Sequence, residues 1–356
     1  MDGRVYFSLT PRQQQILLAV IQDYISTGEP VGSRTLSKKY DLGLSPATIR
    51  NELADLEEEG LLRQPHTSAG RVPSDTGYRF FVDNLMERRA SLAPEQERMI
   101  QEGHLLSRDL PELMQQTAKL TAVLSGCTAI VRAPRQATSR IKYIQVLAVS
   151  ESEALLVMMT DRGAVTNQII PLPGALSPDE LTVITNFLND HLRNQPLDRL
   201  TQYAVSKISR EMARYEQVLE DLYLRVSATH ELGERLYMSH TSYLAQQPEF
   251  SEGGKVGQLL TLLEQEKVLI ELLDTFSAPI AEVPEGAVRV SIGTENPLPD
   301  LHGCSLVTGT YRLGDQIVGE IGILGPTRME YATAVRTVEV MTERLSRALN
   351  ELFGLD

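Results

Sequence analysis

The sequence predicts a multidomain α+β protein, and three observations predict it. Residues 9 to 86 carry repeated helix-start and helix-stop signals and include two short strand-like runs around a glycine-bearing tip. Residues 141 to 170 hold three further strand-like runs, and strands return only at residue 288, so a long helical stretch interrupts strand-forming sequence. The third observation is size and composition. A chain of 356 residues with 42% hydrophobic residues, 5% aromatic residues and no tryptophan is an aliphatic-cored protein long enough for two or three domains.

The first helix opens at Thr10, with Pro11 in its first turn and Gln13 three residues on, which makes a capping box. Ile16, Leu17, Val20, Ile21, Tyr24 and Ile25 form its apolar stripe, and Gly28 with Pro30 stops it. A short helix then opens the stretch from Val31 to Arg79. Ser45 caps a third helix, Pro46 suits its first position, and Ile49, Leu53 and Leu56 fall on one face. That face turns inward, so Ala47, Arg50 and Asn51 turn outward on the first turns, where a recognition helix meets base edges in the major groove. Arginine suits guanine there and asparagine suits adenine.

Leu61 to Pro65 and Arg71 to Pro73 read as two short strands around the polar tip His66-Thr67-Ser68-Ala69-Gly70, with Gly70 free to adopt positive φ. Helix, helix, capped helix and hairpin together predict a winged helix-turn-helix that grips duplex DNA. The residues expected to touch DNA are Ser33, Arg34, Lys38, Lys39, Ser45, Ala47, Thr48, Arg50, Asn51, His66, Thr67, Ser68, Gly70 and Arg71. Arg71 is expected at phosphate or a minor groove, and Lys38 and Lys39 at phosphate alone. Three-helix units with a hairpin also serve as protein-binding scaffolds. In that case Arg50 would merely pair with a glutamate on its own helix.

A net charge of −13 argues against nucleic acid until its distribution is counted. Residues 1 to 90 hold 11 Lys/Arg and 12 Asp/Glu, a sum of −1, which leaves 23 against 35, or −12, for the remainder. Within residues 31 to 50, Arg34, Lys38, Lys39 and Arg50 face Asp41 alone, whereas Glu57, Glu58 and Glu59 sit together at the far end of the third helix. The acidity lies outside the expected reader, and an acidic body repels DNA that approaches it elsewhere. No run of about 18 apolar residues occurs, and the N-terminus lacks a signal-peptide pattern, so a cytoplasmic location is expected. Cys127 and Cys304 stand far apart outside any CxxC pattern and are expected as buried free thiols.

Past the hairpin, Asp75 to Arg79 enters another helix carrying Phe80, Phe81, Val82, Leu85 and Met86, and a boundary falls near Ala90 to Pro94. Residues 95 to 126 read as one or two helices broken at Pro111, and Cys127 to Val131 as a strand. Ile141–Val149, Ala154–Met159 and Ala164–Ile170, joined by polar and glycine-bearing connectors, predict an antiparallel meander. Ser177 caps the helix that follows. From Leu197 to about Phe276 the pattern is nearly all helix, broken at Pro248 to Gly254; strands return at 288–292, 305–312 and 316–324 before a last helix to Phe353.

The run EPVGSRTLSKKYDLGLSPATIRNELADLEEEGLLRQPHTSAGRVPSDTGYRFFVD resembles the N-terminal domain of the HrcA heat-shock repressors, ungapped from about Leu9 to Asp83. Ile292 to Asn296, Cys304 to Thr308, Gly309 to Tyr311 and Gly325 to Tyr331 look like that family's C-terminal signatures. The resemblance implies a winged-helix domain over residues 1–90, a discontinuous GAF-like domain over 91–140 and 276–356, and an inserted, largely helical dimerisation domain over 141–275. It also implies a homodimeric repressor of heat-shock chaperone genes that binds the inverted-repeat operator called CIRCE. Activity would be lost on heat stress and maintained by the GroE-type chaperonin. The alternative is a one-component regulator controlled by a small metabolite bound in the GAF-like domain.

No enzyme chemistry and no cofactor is expected. Gly319 to Gly325 echoes a glycine-rich loop, but its glycines lack GxGxxG spacing and a P-loop lysine. The 6 histidines form no HExxH or ligand-spaced cluster, and no GxSxG elbow appears. His302 and Cys304 are sequence neighbours, which seldom make a catalytic pair.

Overall fold

In a computed structural model the described residues are 7–86, 94–102, 109–134, 140–161, 165–172, 174–196, 215, 218, 219, 222, 235–250, 255–276 and 287–354. The chain is a mixed α/β protein that divides into two compact units. One comprises Met1–Val131, Tyr237–Tyr311 and Glu320–Ser346; the other comprises Arg132–Leu236, Arg312–Gly319 and Arg347–Asp356.

The first unit begins with three helices, α1 (Pro11–Thr27), α2 (Ser33–Lys39) and α3 (Pro46–Glu58). The Thr10–Gln13 capping box starts α1, and Gly28, at φ +71°, ends it in the left-handed conformation that an L side chain resists. Ser45 accepts from the Thr48 backbone N–H and starts α3. A two-stranded antiparallel hairpin, β1 (Leu62–Arg63) and β2 (Val72–Pro73), follows. Val31 forms a bridge to Arg71 through two backbone hydrogen bonds of 2.8 and 2.9 Å, so the chain before α2 borders the hairpin. Ser74 caps α4 (Asp75–Phe80), which widens into a π-turn over Phe81–Leu85. Of the expected boundary near Ala90 to Pro94, only Pro94 lies within the described residues.

The same unit holds most of a five-stranded sheet with the order β7-β3-β10-β9-β8. Its strands are β3 (Thr128–Arg132), β7 (Leu236–Ser239), β8 (Val288–Ile292), β9 (Cys304–Leu313) and β10 (Gln316–Pro326). Helices α5 (Pro94–Glu102) and α6 (Leu110–Ser125) precede β3. Pro111 stands in the first turn of α6 and starts a helix instead of breaking one, because that turn needs no proline N–H. The last helix, α10 (Tyr331–Phe353), buries Tyr331, Val338, Met341, Leu345 and Leu349. It packs so closely on β9 that a Cβ at Gly309 would stand 2.6 Å from the Val338 side chain.

In the second unit β4 (Ile141–Ala148), β5 (Glu153–Thr160) and β6 (Val165–Pro171) form an antiparallel meander. Helix α7 (Pro178–Leu192) covers it, burying Leu181, Ile184, Leu188 and Leu192 against Ile144, Val146, Leu156 and Met158. Asn189 fastens the two layers: its amide donates to the Ile144 carbonyl at 2.6 Å and accepts from the Ile144 N–H at 2.9 Å.

The second unit holds the expected meander and Ser177-capped helix, with the helical residues Val218, Leu219 and Leu222 in the same core; most of residues 197–236, where the expected helical run enters this unit, lies outside the described residues. The longest stretch of that unit runs from Arg132 to Leu236. Leu236–Ser239, read as helix, is instead the edge strand β7, and α8 (Lys255–Leu263) and α9 (Glu266–Phe276) belong to the first unit. A four-residue strand has too short a period to show against a helical background. Its conformation comes from pairing with β3, not from local propensity.

Candidate nucleic-acid interface

The exposed side of α3 and the hairpin tip define the candidate surface. Ile49, Leu53 and Leu56 are 0%, 5% and 0% exposed, which turns Ala47, Arg50 and Asn51 to solvent, with Thr48 half-buried beside its cap. An open cleft of about 400 Å³ brings together Ser33 and Arg34 from α2, Arg50 from α3, and Thr67, Ser68, Gly70 and Arg71 from the hairpin. Val31, Gly32 and Gln64 line it as well and were not among the expected site residues. Lys38, Ala47, Asn51 and His66 are exposed outside the cleft.

Gln64 shapes the tip. Its side-chain amide donates to the carbonyls of Thr67 at 3.1 Å and Ala69 at 2.9 Å, while the Ala69 N–H closes a turn on His66 at 2.9 Å. No pattern around Gln64 signals this in sequence, because the acceptors are backbone atoms placed by the fold.

The expected cations separate into two groups. The side chains of Arg34, Lys38 and Arg50 make no hydrogen bond or ion pair among the described residues, so Arg50 is not paired with a glutamate of its own helix. Lys39 is engaged: its ammonium lies 2.5 Å from Asp23, whose side chain is 5% exposed. The hydrogen bond to Asp23 raises the Lys39 pKa, with Coulomb attraction adding to it and desolvation opposing. Arg71 is engaged too, 2.8 Å from Glu57, and this pair ties the hairpin to the last turn of α3. Lys39 and Arg71, both expected at DNA, thus also carry ion pairs within the protein. Both partners are acidic groups contributed by another helix, which sequence spacing does not relate to them.

Gly70 also needs a different account from the one its sequence context suggests. It is not among the glycines at positive φ. A Cβ there would overlap the Val31 carbonyl and stand 2.8 Å from the Pro30 carbonyl carbon, so glycine is required by the close approach of two backbones.

The family described as "HrcA protein C terminal domain" matches residues 111–335. A "Heat-inducible transcription repressor HrcA" of Pelotomaculum thermopropionicum is 41% identical over 97% of this chain and 98% of its own length. The chain belongs to the HrcA family. Another HrcA protein, from Desulforamulus reducens, is 41% identical over 96% of the chain and 97% of its own length. A crystal structure of a hypothetical protein shares the fold at a TM-score of 0.61 and 22% identity, with 97% of this chain and 100% of that one covered. The full-length HrcA relatives reach the N-terminal helices and hairpin that the C-terminal family description leaves out, so membership covers the candidate surface as well as the sheet. In this HrcA chain no described helix is long and apolar enough to cross a membrane.

Proposed function

We propose that this HrcA-family chain is a sequence-specific, DNA-binding repressor of heat-shock genes, working as a homodimer on an inverted-repeat operator of the CIRCE type. On this reading α1 to α3 and the β1–β2 hairpin form a winged helix-turn-helix, the five-stranded sheet with its helices is a GAF-like domain, and the meander unit is the inserted dimerisation domain. The observation that carries it is the convergence of Ser33, Arg34, Arg50, Thr67 and Ser68 on one cleft, with Asn51 exposed beside Arg50 on α3. A recognition helix presents the residues of its first turns to base edges, and flanking cations and hydroxyls hold phosphate. The name carried by relatives about 41% identical over nearly the whole chain supports heat-inducible repression in particular.

Dimerisation is supported by the outward face of the meander, where Tyr143, Leu147, Val149, Val165 and Ile169 are 47–56% exposed. Apolar residues gathered on one sheet face favour a covering partner. Two identical readers on a symmetric body meet an inverted repeat as two equal half-sites, and the second contact is intramolecular. Control by a GroE-type chaperonin rests on the family alone. Heat would lower the DNA-competent fraction, and chaperonin would restore it unless misfolded proteins occupied it.

The test is selection of bound fragments from random duplexes, followed by anisotropy titration on the selected and scrambled sequences. Recovery of an inverted repeat is expected. Failure to select any duplex, or equal affinity for both sequences, would defeat the reading. Retitration after heating, with and without chaperonin and ATP, addresses control. Full activity indifferent to chaperonin would remove that part.

A further inference from the structure

Two stretches more than 200 residues apart in sequence, Asp75–Arg79 and Ile292–Asn296, meet within the first unit. Asp75 accepts, through Oδ2, from the Thr294 backbone N–H at 2.9 Å and from its hydroxyl at 2.9 Å. One turn along α4, Arg79 donates from Nε to Glu295 Oε1 at 2.8 Å and from Nη2 to the Val290 carbonyl at 2.6 Å, and Nη2 also pairs with Glu295 Oε2. Glu295 is itself fixed by the Ile292 N–H at 2.8 Å. Gly293, at φ +52°, makes the approach possible, since a Cβ there would overlap the Asp75 carboxylate.

A second clamp holds the C-terminal end of α1. Arg328 donates to the Ile25 carbonyl at 3.2 Å and to Gln247 Oε1 at 3.1 Å, and its Nε pairs with Glu249. Apolar packing joins the two clamps. The rings of Tyr78 and Tyr331 lie 5.7 Å apart, and one continuous core runs from Ile16, Leu17 and Tyr78 to Ile292, Val307 and Tyr331. The Tyr331 hydroxyl is fixed in turn by Ser305 and the Thr327 carbonyl, each at 2.7 Å.

A single contact between two bodies leaves a swivel, whereas two polar clamps on different helices, bridged by buried aromatic packing, leave none. We propose that Asp75, Arg79 and Arg328 are positioning residues that hold the N-terminal reader in one orientation on the sheet domain, and thereby set the half-site spacing the protein accepts. This rests on the reading of α3 and the hairpin as a DNA reader. None of the three residues lines the candidate cleft, so their influence is on geometry and not on base contacts. A loosely tethered reader would tolerate a range of spacings. A clamped one loses the benefit of the second half-site when the spacing forbids simultaneous engagement.

The experiment measures binding of the full-length protein to duplexes carrying two half-sites at graded spacings, and to a duplex with one half-site. Wild type should lose roughly 100-fold in affinity when about half a helical turn is inserted. Arg79→Lys keeps the charge but cannot serve both carboxylate oxygens and a carbonyl with a planar fork. Thr294→Val keeps the backbone donor to Asp75 and removes only the hydroxyl, so it is the milder variant should the other melt early. Arg79→Lys should flatten the spacing penalty to roughly a few-fold and Thr294→Val should reduce it by a smaller factor, with single half-site affinity unchanged in both. A spacing profile as sharp as wild type's in both variants would overturn the proposal, as would tighter binding with unchanged spacing preference or an equal loss on the single half-site. If wild type binds no duplex at all, the DNA-reading proposal fails first and this one with it.

Discussion

Arg50 and Lys39 both read as DNA contacts in the sequence, yet the Arg50 guanidinium makes no hydrogen bond or ion pair among the described residues, whereas Lys39 is held by the nearly buried Asp23. On the proposed reading, Arg50→Ala or Asn51→Ala costs about 1 to 3 kcal/mol at the operator and relaxes selectivity at one base position. Lys38→Ala weakens all duplexes alike and flattens the salt dependence by roughly one unit of slope. Anisotropy at several salt concentrations separates these outcomes, and an equal effect of Arg50→Ala on operator and scrambled DNA would refute the base-reading role. Lys39→Ala, by contrast, leaves the Asp23 carboxylate without its cation and should lower Tm in a thermal melt, which Lys38→Ala should not.

The two thiols give a second test at this scale. Burial pushes Cys127 up to about 11 and Cys304 up to about 12. The thiolate is the nucleophile, so neither should react with a thiol reagent at neutral pH until the protein unfolds. The folded state keeps these protons where the unfolded state has lost them. Their contribution to stability is therefore constant below pH ~9 and falls as pH rises from there towards 11 to 12. Rapid labelling of both thiols in the native protein would contradict this.

At the scale of elements, the hairpin is defined by how closely it approaches the chain before α2. Gly70→Ala forces a Cβ into the Val31 carbonyl and should destabilise the protein by about 1 to 3 kcal/mol, read as a lower denaturation midpoint. Because the tip is displaced as a whole, DNA affinity should fall for every sequence. An alanine variant with wild-type midpoint would show that the backbones separate freely there. Had positive φ been the reason for glycine, Gly70→Asn would be the tolerated exchange; the close approach predicts that asparagine fails as alanine does. Local signals made the helices legible: the capping residues of α1, α3 and α7 all sit where the sequence puts them. The hairpin's tightness was not legible, because Gly70 and Val31 are brought together by α2 and α3 folding between them.

For the whole molecule, the question is assembly. The outward face of the meander carries apolar residues in cross-strand register, with exposed Leu147 opposite half-buried Leu155 and Leu155 opposite exposed Ile169. If this face joins two chains, charge placed on it will part them without disturbing the inner core of Ile144, Leu156 and Met158. Leu147→Glu combined with Ile169→Glu should turn a dimer into a monomer by light scattering, and operator affinity should drop towards that of one reader. An unchanged mass would move the interface elsewhere.

The sequence by itself determined the elements whose causes are local. Capping boxes, apolar stripes at helical spacing and polar turns between alternating strands set α1, α3, α7 and the β4–β6 meander. It also carried family membership, since the N-terminal run and the C-terminal signatures each stand in unbroken stretches. Tertiary structure alone decided which charges are spent inside the protein: Lys39 on Asp23, Arg71 on Glu57, Arg79 on Glu295 and Arg328 on Glu249. It also turned Leu236–Ser239 into a strand and brought Asp75 against Thr294, 219 residues away. The physical reason is range. A cap or a stripe is satisfied within a turn or two of chain, whereas an ion pair, an edge strand or a backbone approach depends on a partner that only the folded topology supplies.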